Sequence, residues 1–379
     1  MSLILTDEQK MLAESAKGYL SEHAPIAAFR KLRDTRDANG YSKQLWGQFA
    51  EMSWTGMLVP EAFGGLDFGY VGAGLLCEEM GRTLTASPFL STAVMAVTAL
   101  RRGGTKAQQQ QWLPAIASGK ALMTLAVDEG RRHNPRGSAL TATKQGNGFK
   151  LDGAKTFVPD GHVADSLIVA ARTAGKPGES AGISLFLVGA KAKGLSIERT
   201  IMVDSRNAAR LQFKDVAVDG ADLLGALDNG YALLEAVLDA GRAGLAAEMS
   251  GLAQQTFGIT VQYLKDRTQF GKPIGGFQAL QHRAAHLYCE VEVVKSAVLK
   301  ALQTLDQQPG QAPGVVALAK AKAGDVARLA VLEAVQMHGG VGMTDAIDIG
   351  LFMKRARVAG EMYGDANFHA DKLASLRGY

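Results

Sequence analysis

The spacing of apolar residues changes twice along this chain, and that constrains the fold more than any single motif. Up to about residue 120 apolar side chains recur at helical intervals. Met11, Leu12, Ala16, Tyr19 and Leu20 follow a Thr6–Gln9 capping box, and further helical runs cover 42–53, 70–83, 87–102 and 106–118. Gly- and Pro-bearing breaks such as VPEAFGG (59–65) separate them. From residue 121 the period falls to two. ALMTLAV, GFKLDGAKTFV, SLIVAART, ISLFLVG, LSIERTI and ARLQFKDVAV are short alternating runs bounded by Gly, Asp, Asn and Pro. No helical run intervenes, so these strands predict an antiparallel sheet or barrel, not βαβ units. After Asn229-Gly230 the helical period returns in long segments: Tyr231 to about Arg267, 277–306, 315–337 and roughly 344–357. In the first, Leu233, Leu234, Val237, Leu238, Leu245 and Leu252 recur on one side. Long amphipathic helices with short connections describe a bundle. The chain therefore reads as mainly α with a central β domain: helical over 1–120, β over 121–225, and a helical bundle over 226–379.

With 379 residues, 47% hydrophobic and 21% charged, a large core spread over two or three sub-domains is expected. The 41 basic and 37 acidic residues are interspersed, and no basic block suggests nucleic acid. MSLILTDEQK carries charge by residue 7 and lacks the apolar centre of a signal peptide. Apolar runs are too short for a membrane span. Cys77 and Cys289 lie far apart without C-x-x-C spacing, which argues against a disulfide framework or a zinc knuckle. Together these features predict a cytoplasmic chain with reduced thiols. His282 and His286 stand one helical turn apart with no third ligand in the pattern, so no metal site is expected. The phosphate-loop, nucleophile-elbow and zincin patterns are missing from the sequence.

Two Gly-rich segments join long helices: RTQFGKPIGGFQALQH (267–282) and QMHGGVGM (336–343). Glycine lets backbone N–H groups approach a ligand closely, and the N-terminus of a following helix favours anions. Arg267, directly before the first segment, suits a phosphate or pyrophosphate. The same glycines would also serve as plain helix C-caps.

Taken together with two further stretches, these segments resemble the acyl-CoA dehydrogenase family along essentially the whole chain. VPEAFGGLDFG (59–69) is similar to the family's Pro-Glu-x-x-Gly-Gly segment, and GFKLDGAKTFVPDGHVADSLIVAART (148–173) to its middle-domain signature. DRTQFGKPIGGFQALQHRAA (266–285) resembles the Arg-x-Gln-Phe-Gly signature, and QMHGGVGMT (336–344) the Gln-x-x-Gly-Gly-x-Gly segment. The resemblance implies FAD, an acyl-CoA substrate, an electron-transfer flavoprotein as acceptor, and a homotetramer or a heterotetramer with a paralogous subunit. It further implies that Arg267 contacts the pyrophosphate of a neighbouring subunit's FAD, with Gln269 and Phe270 beside it. Gln336, Gly339 and Gly340 would line the adenosine end. Phe157 and Val158 fall where the family places an aromatic–aliphatic pair against the isoalloxazine ring, although Phe157 equally suits a core aromatic on a strand.

The chain departs from the family at the base. The usual glutamate belongs to a Tyr-Glu-Gly-Thr motif, which here reads Tyr363, Gly364, Asp365, Ala366. A second location, a glutamate before an arginine in the first bundle helix, reads Gly241-Arg242. Val127 replaces the threonine of a Thr-Glu-Pro segment, and Pro159 stands where a hydroxyl residue usually bonds the flavin. Three readings follow. Asp365, with His369 one helical turn on, serves as the base; or the chain is the base-lacking subunit of a heterotetramer; or the fold serves oxidase or monooxygenase chemistry. Asp365 is the one catalytic candidate, but the N-cap of a final helix (ANFHADKLASL) is the reading its sequence context favours.

Overall fold

A computed structural model describes residues 3–379. The N-terminal third is helical: α1 (Asp7–His23), α2 (Ile26–Asp34), α3 (Lys43–Glu51), α4 (Tyr70–Thr83), a π-helix over Phe89–Ala96 that runs into α5 (Val97–Gly103), and α6 (Lys106–Ala117). Strands follow: β1 (Met123–Ala126), β2 (Thr141–Gln145), β3 (Gly148–Pro159), β4 (Ser166–Arg172), β5 (Ile183–Gly189), β6 (Leu195–Ile201), β7 (Asn207–Val218) and β8 (Leu223–Leu224). Then come α7 (Tyr231–Asp266), a hairpin of β9 (Thr268–Gln269) and β10 (Lys272–Pro273), α8 (Gln278–Gln307), α9 (Ala312–His338), α10 (Ile349–Glu361) and α11 (Ala366–Leu376). This is the helical, β, helical order that the apolar periods predict.

The chain divides into two compact units. One holds residues 35–69 and 87–241. Its eight-stranded sheet runs β6-β7-β3-β2-β4-β5-β8, with β1 beside β4. Alternating inward residues such as Leu151, Leu167, Val169, Phe186, Leu211 and Phe213 form the core, as period two requires. The sheet is antiparallel except that β1 and β2 each meet β4 in parallel. Alternation encodes which face is buried but not strand direction, and the long 127–165 connection permits the parallel β1–β4 pair. Pairing of β3 with β7 slips between Lys155↔Leu211 and Val158↔Ala209, a bulge that puts Phe157 at φ +53°.

The other unit gathers residues up to Asp34, Tyr70–Ala86 and Arg242–Tyr379. Within it α8 packs on α9 and α4, α10 and α11 pack on α9, and α1 packs on α4. Helix α7 is buried all round from Val237 to Ala253, not along one stripe as its leucine pattern suggested. Besides Ala and Gly, its remaining faces carry the buried polar side chains of Asp239, Arg242, Glu248 and Ser250. Arg33 grips Asp345 with both terminal nitrogens (2.7 and 2.8 Å), and Arg30 Nε donates to Asp348 (2.8 Å). These contacts tie the segment before α10 to α2.

Candidate functional site

Helix α10 ends at Glu361 and α11 begins at Ala366, so the expected base position lies in the turn between them. Tyr363 (φ +55°) and Gly364 (φ +106°) reverse the chain. Asp365 is extended (φ −78°, ψ 179°), and its Oδ1 accepts from the Phe368 N–H at 2.8 Å. It therefore caps α11. Two buried cations hold the turn's carbonyls. Lys320 Nζ donates to the carbonyls of Gly360 and Gly364, both at 3.0 Å, and Arg242 Nε donates to that of Tyr363 at 3.1 Å. Burial, helped by the Arg242 charge, lowers the Lys320 ammonium to about 7, against the pull of Glu361 and Asp365. Behind them Arg355 and Glu248 form a buried bidentate pair at 2.7 Å.

A side chain at residue 364 has nowhere to go. A Cβ built there lies 2.9 Å from His369 Nε2 and 3.0 Å from Phe368 Cε1, with Phe368 Cδ1 nearer still. The backbone at φ +106° is also one that L residues disfavour. His369 is fully buried, and its ring meets that of Phe368 edge-on at 5.1 Å. In the other unit a Cβ at Gly241 lies 2.6 Å from Met95 Sδ and 2.8 Å from its Cε; Met95 is buried on the π-helix. At both family base positions, then, this chain's own side chains occupy the space.

The glycine-rich segments are exposed. Helix α7 leads through Arg267 into the β9–β10 hairpin, whose turn residues Phe270 (φ +52°) and Gly271 (φ +76°) follow the type I′ pattern. Phe270 is 90% exposed, and Arg267 and Gln269 are exposed beside it. Among the described residues the Arg267 guanidinium has no hydrogen-bond or ion-pair partner. At the end of α9, Gln336, Gly339 and Gly340 are exposed, and a Cβ at either glycine meets nothing within 4 Å. An open guanidinium, two carboxamides and uncovered glycine backbone are a donor set that fits the pyrophosphate–adenosine end of FAD.

The β-domain candidates are placed differently. Phe157 is half-buried at the bulge, while Val158 lies in the sheet's core. Polar groups around them bond one another. Lys155 Nζ donates to Val127 O (3.1 Å), Glu129 Oε1 (2.7 Å) and Ser138 Oγ (3.0 Å), and the Thr156 N–H donates to Asp128 O (2.8 Å). Burial lowers the Lys155 ammonium. Burial alone would raise the Glu129 carboxyl, but Lys155 and the N–H groups of Leu140 and Ala139 hold it below its usual value. Pro159 has no N–H, and its carbonyl accepts from Thr124 Oγ1 at 2.7 Å. Beside the bulge a cavity of about 240 Å³ is lined by Glu129, Lys155, Thr156, Glu198, Arg210 and Gln212, among others.

His282 and His286 are exposed on α8, and among the described residues no cluster of three metal-ligating side chains occurs. No helix there is long and apolar enough to cross a membrane. Sequence reasoning missed Lys320, Phe368 and Met95. Lys320 sits among the alanines and valines of α9, but Lys322 stands two residues along and nothing local singles Lys320 out; nothing local marks the other two either.

Family models described as the N-terminal, middle and C-terminal domains of acyl-CoA dehydrogenase match residues 6–120, 128–216 and 228–375. Cyclohex-1-ene-1-carbonyl-CoA dehydrogenase of Geobacter metallireducens is 30% identical over 377 residues, covering 96% of each chain. The ChsE4-ChsE5 complex of Mycobacterium tuberculosis has a similar fold (TM-score 0.89, 25% identity, all of both chains). So does a Tcur3481-Tcur3483 steroid ACAD variant (TM-score 0.87, 30% identity, 98% of both chains). The chain belongs to the acyl-CoA dehydrogenase family, whose members are flavin oxidoreductases that bind FAD.

Proposed function

We propose that this chain is the base-lacking subunit of a hetero-oligomeric acyl-CoA dehydrogenase, which oxidises an acyl-CoA thioester across its α,β bond. The observation that carries this reading is the filled turn at Gly364. No carboxylate stands there, Phe368 and His369 take up its space, and neighbouring Asp365 is held as a helix cap. The two solved relatives named as pairs support a paralogous partner. Arg267 would neutralise the FAD pyrophosphate, Gln269 and Phe270 would flank it, and Gln336, Gly339 and Gly340 would receive the adenosine. Bound FAD supplies the acceptor for the β-hydrogen, which leaves as hydride. The α-proton needs a base within hydrogen-bond reach, and the partner subunit would provide it. Phe157 would present only its ring at the β-domain surface, and Val158 only its backbone. Electrons would pass to an electron-transfer flavoprotein.

The test is an anaerobic titration with octanoyl-CoA, following flavin bleaching. The chain with its paralogous partner bleaches, and the chain alone, reconstituted with FAD, does not. Bleaching by the chain alone, abolished by Asp365→Ala, would overturn the reading and restore Asp365 as the base.

A further inference from the structure

The two exposed glycine-rich segments are 72 residues apart in sequence, counted from Arg267 to Gly339, yet one aromatic contact joins their roots. Tyr263, in the last turn of α7, stacks on His338, the last residue of α9, with ring centroids 4.2 Å apart and planes 28° from parallel. Its hydroxyl also points to the His338 carbonyl at 3.4 Å. The backbone of each residue leads straight into its segment. The Tyr263 carbonyl accepts from the Arg267 N–H at 2.9 Å, and the Arg267 carbonyl accepts from Ile274 N–H at 2.8 Å, which closes the hairpin. On the other side His338 immediately precedes Gly339 (φ +63°), and its Nδ1 bonds the Ala334 carbonyl at 2.8 Å. That bond requires a proton on Nδ1 and fixes the plane of the ring. His338 is only 5% exposed, so its ring is a fixed platform and not a surface contact.

We propose that Tyr263 and His338 are a positioning pair that holds the Arg267 hairpin and the Gly339–Gly340 turn at one fixed spacing, so that both meet the same dinucleotide. This rests on the assignment of those segments to FAD made above. Without the stack each segment hangs from its own helix end. Both carry positive-φ residues and few buried contacts, so the cost of ordering them would fall on ligand binding. With it, the cation for the pyrophosphate and the open backbone for the adenosine are preset.

The experiment measures FAD affinity of the full chain, assembled as it purifies and stripped of flavin, by quenching of flavin fluorescence. Melting temperature is recorded alongside. Tyr263→Ala should weaken FAD binding about three- to tenfold, the range an aromatic stack supports. Tyr263→Phe, which keeps the ring and loses only the long hydroxyl contact, should return it to near wild type. Phe257→Ala removes another aromatic contact of α7, with Tyr288 at 6.0 Å, and should lower the melting temperature without changing FAD affinity. If Tyr263→Ala does not fold, Tyr263→Leu, which keeps bulk without a ring, carries the comparison. Wild-type affinity in Tyr263→Ala or Tyr263→Leu, with affinity lost in Arg267→Ala, overturns the positioning pair and leaves the FAD assignment standing. Unchanged affinity in Arg267→Ala overturns the assignment and the pair with it.

Discussion

Replacing Gly364 by alanine adds one methyl group at the most crowded point of the α10–α11 turn. Two costs combine. Holding an L side chain at φ +106° costs roughly 1–3 kcal/mol. Pressing a Cβ against the His369 and Phe368 rings, at 2.9 and 3.0 Å, adds about 1–3 kcal/mol of overpacking. The expected loss is therefore about 2–6 kcal/mol, far above the ±0.5 kcal/mol typical of surface changes. Gly360, four residues earlier in α10, is the internal control. A Cβ there meets nothing within 4 Å, so Gly360→Ala should stabilise by up to about 1 kcal/mol through helix propensity. Urea unfolding followed by circular dichroism, at one chain concentration, should move the two midpoints in opposite directions. A Gly364→Ala midpoint equivalent to less than about 0.5 kcal/mol from wild type refutes both the strain and the crowding. Gly364→Glu, which restores the family carboxylate, should destabilise at least as much and produce no acyl-CoA-dependent bleaching in the chain alone.

Asp365→Ala removes the α11 cap and should cost about 1 kcal/mol of stability, with Asp365→Ser recovering most of it. Acyl-CoA-dependent bleaching by the assembled enzyme should be the same in both. Lys320 gives a pH signature, because the unfolded lysine keeps its proton up to its usual value whereas the folded one releases it at about 7. Its penalty is thus full below pH 7 and is relieved as pH rises, so this group should add on the order of 2 kcal/mol between pH 7 and 9. In Lys320→Met that rise should vanish from unfolding curves taken across the window, and its persistence would assign it to another group. Glu248→Gln leaves the Arg355 guanidinium buried without its carboxylate and should cost about 3–5 kcal/mol in the same unfolding assay.

What could be read from the chain and what could not divides along physical lines. Helix α4 occupies 70–83, the span its apolar spacing predicts, because amphipathic periodicity is local. The Asp365 cap is legible for the same reason: a capping residue acts on an N–H three positions away. The β9–β10 hairpin within RTQFGKPIGG was not legible, since Phe270-Gly271 lacks the Asn-Gly or Asp-Gly signature of such turns. Nor was the parallel β1–β4 pair, which depends on the path of the connection. At the candidate site, motifs mark Arg267 and the glycines, and the glycine at 364 signals a missing base. That Phe368, His369 and Met95 fill the empty positions depends on the left-handed backbone at residue 364 (φ +106°) and on the fold bringing Met95, 146 residues earlier in sequence, against Gly241. No local pattern carries that information.

The π-helix over Phe89–Ala96 makes chain length, more than residue type, the quantity under constraint in that segment. Its i→i+5 winding accommodates more residues per turn than an α-helix. Ser91 Oγ donates to Asp160 (2.6 Å), Thr92 Oγ1 donates to the Met123 carbonyl (2.9 Å), and Met95 lies against Gly241. Removing one residue would let the segment relax to α and turn whatever follows by about 100°. Ser91 and Thr92 would then leave their partners, or Met95 would leave Gly241; the two ends could not both stay in register. Conservative substitutions here are absorbed one side chain at a time, but a single-residue deletion is not. A deletion scan across 89–96 should therefore be far more damaging than an alanine scan of the same eight positions.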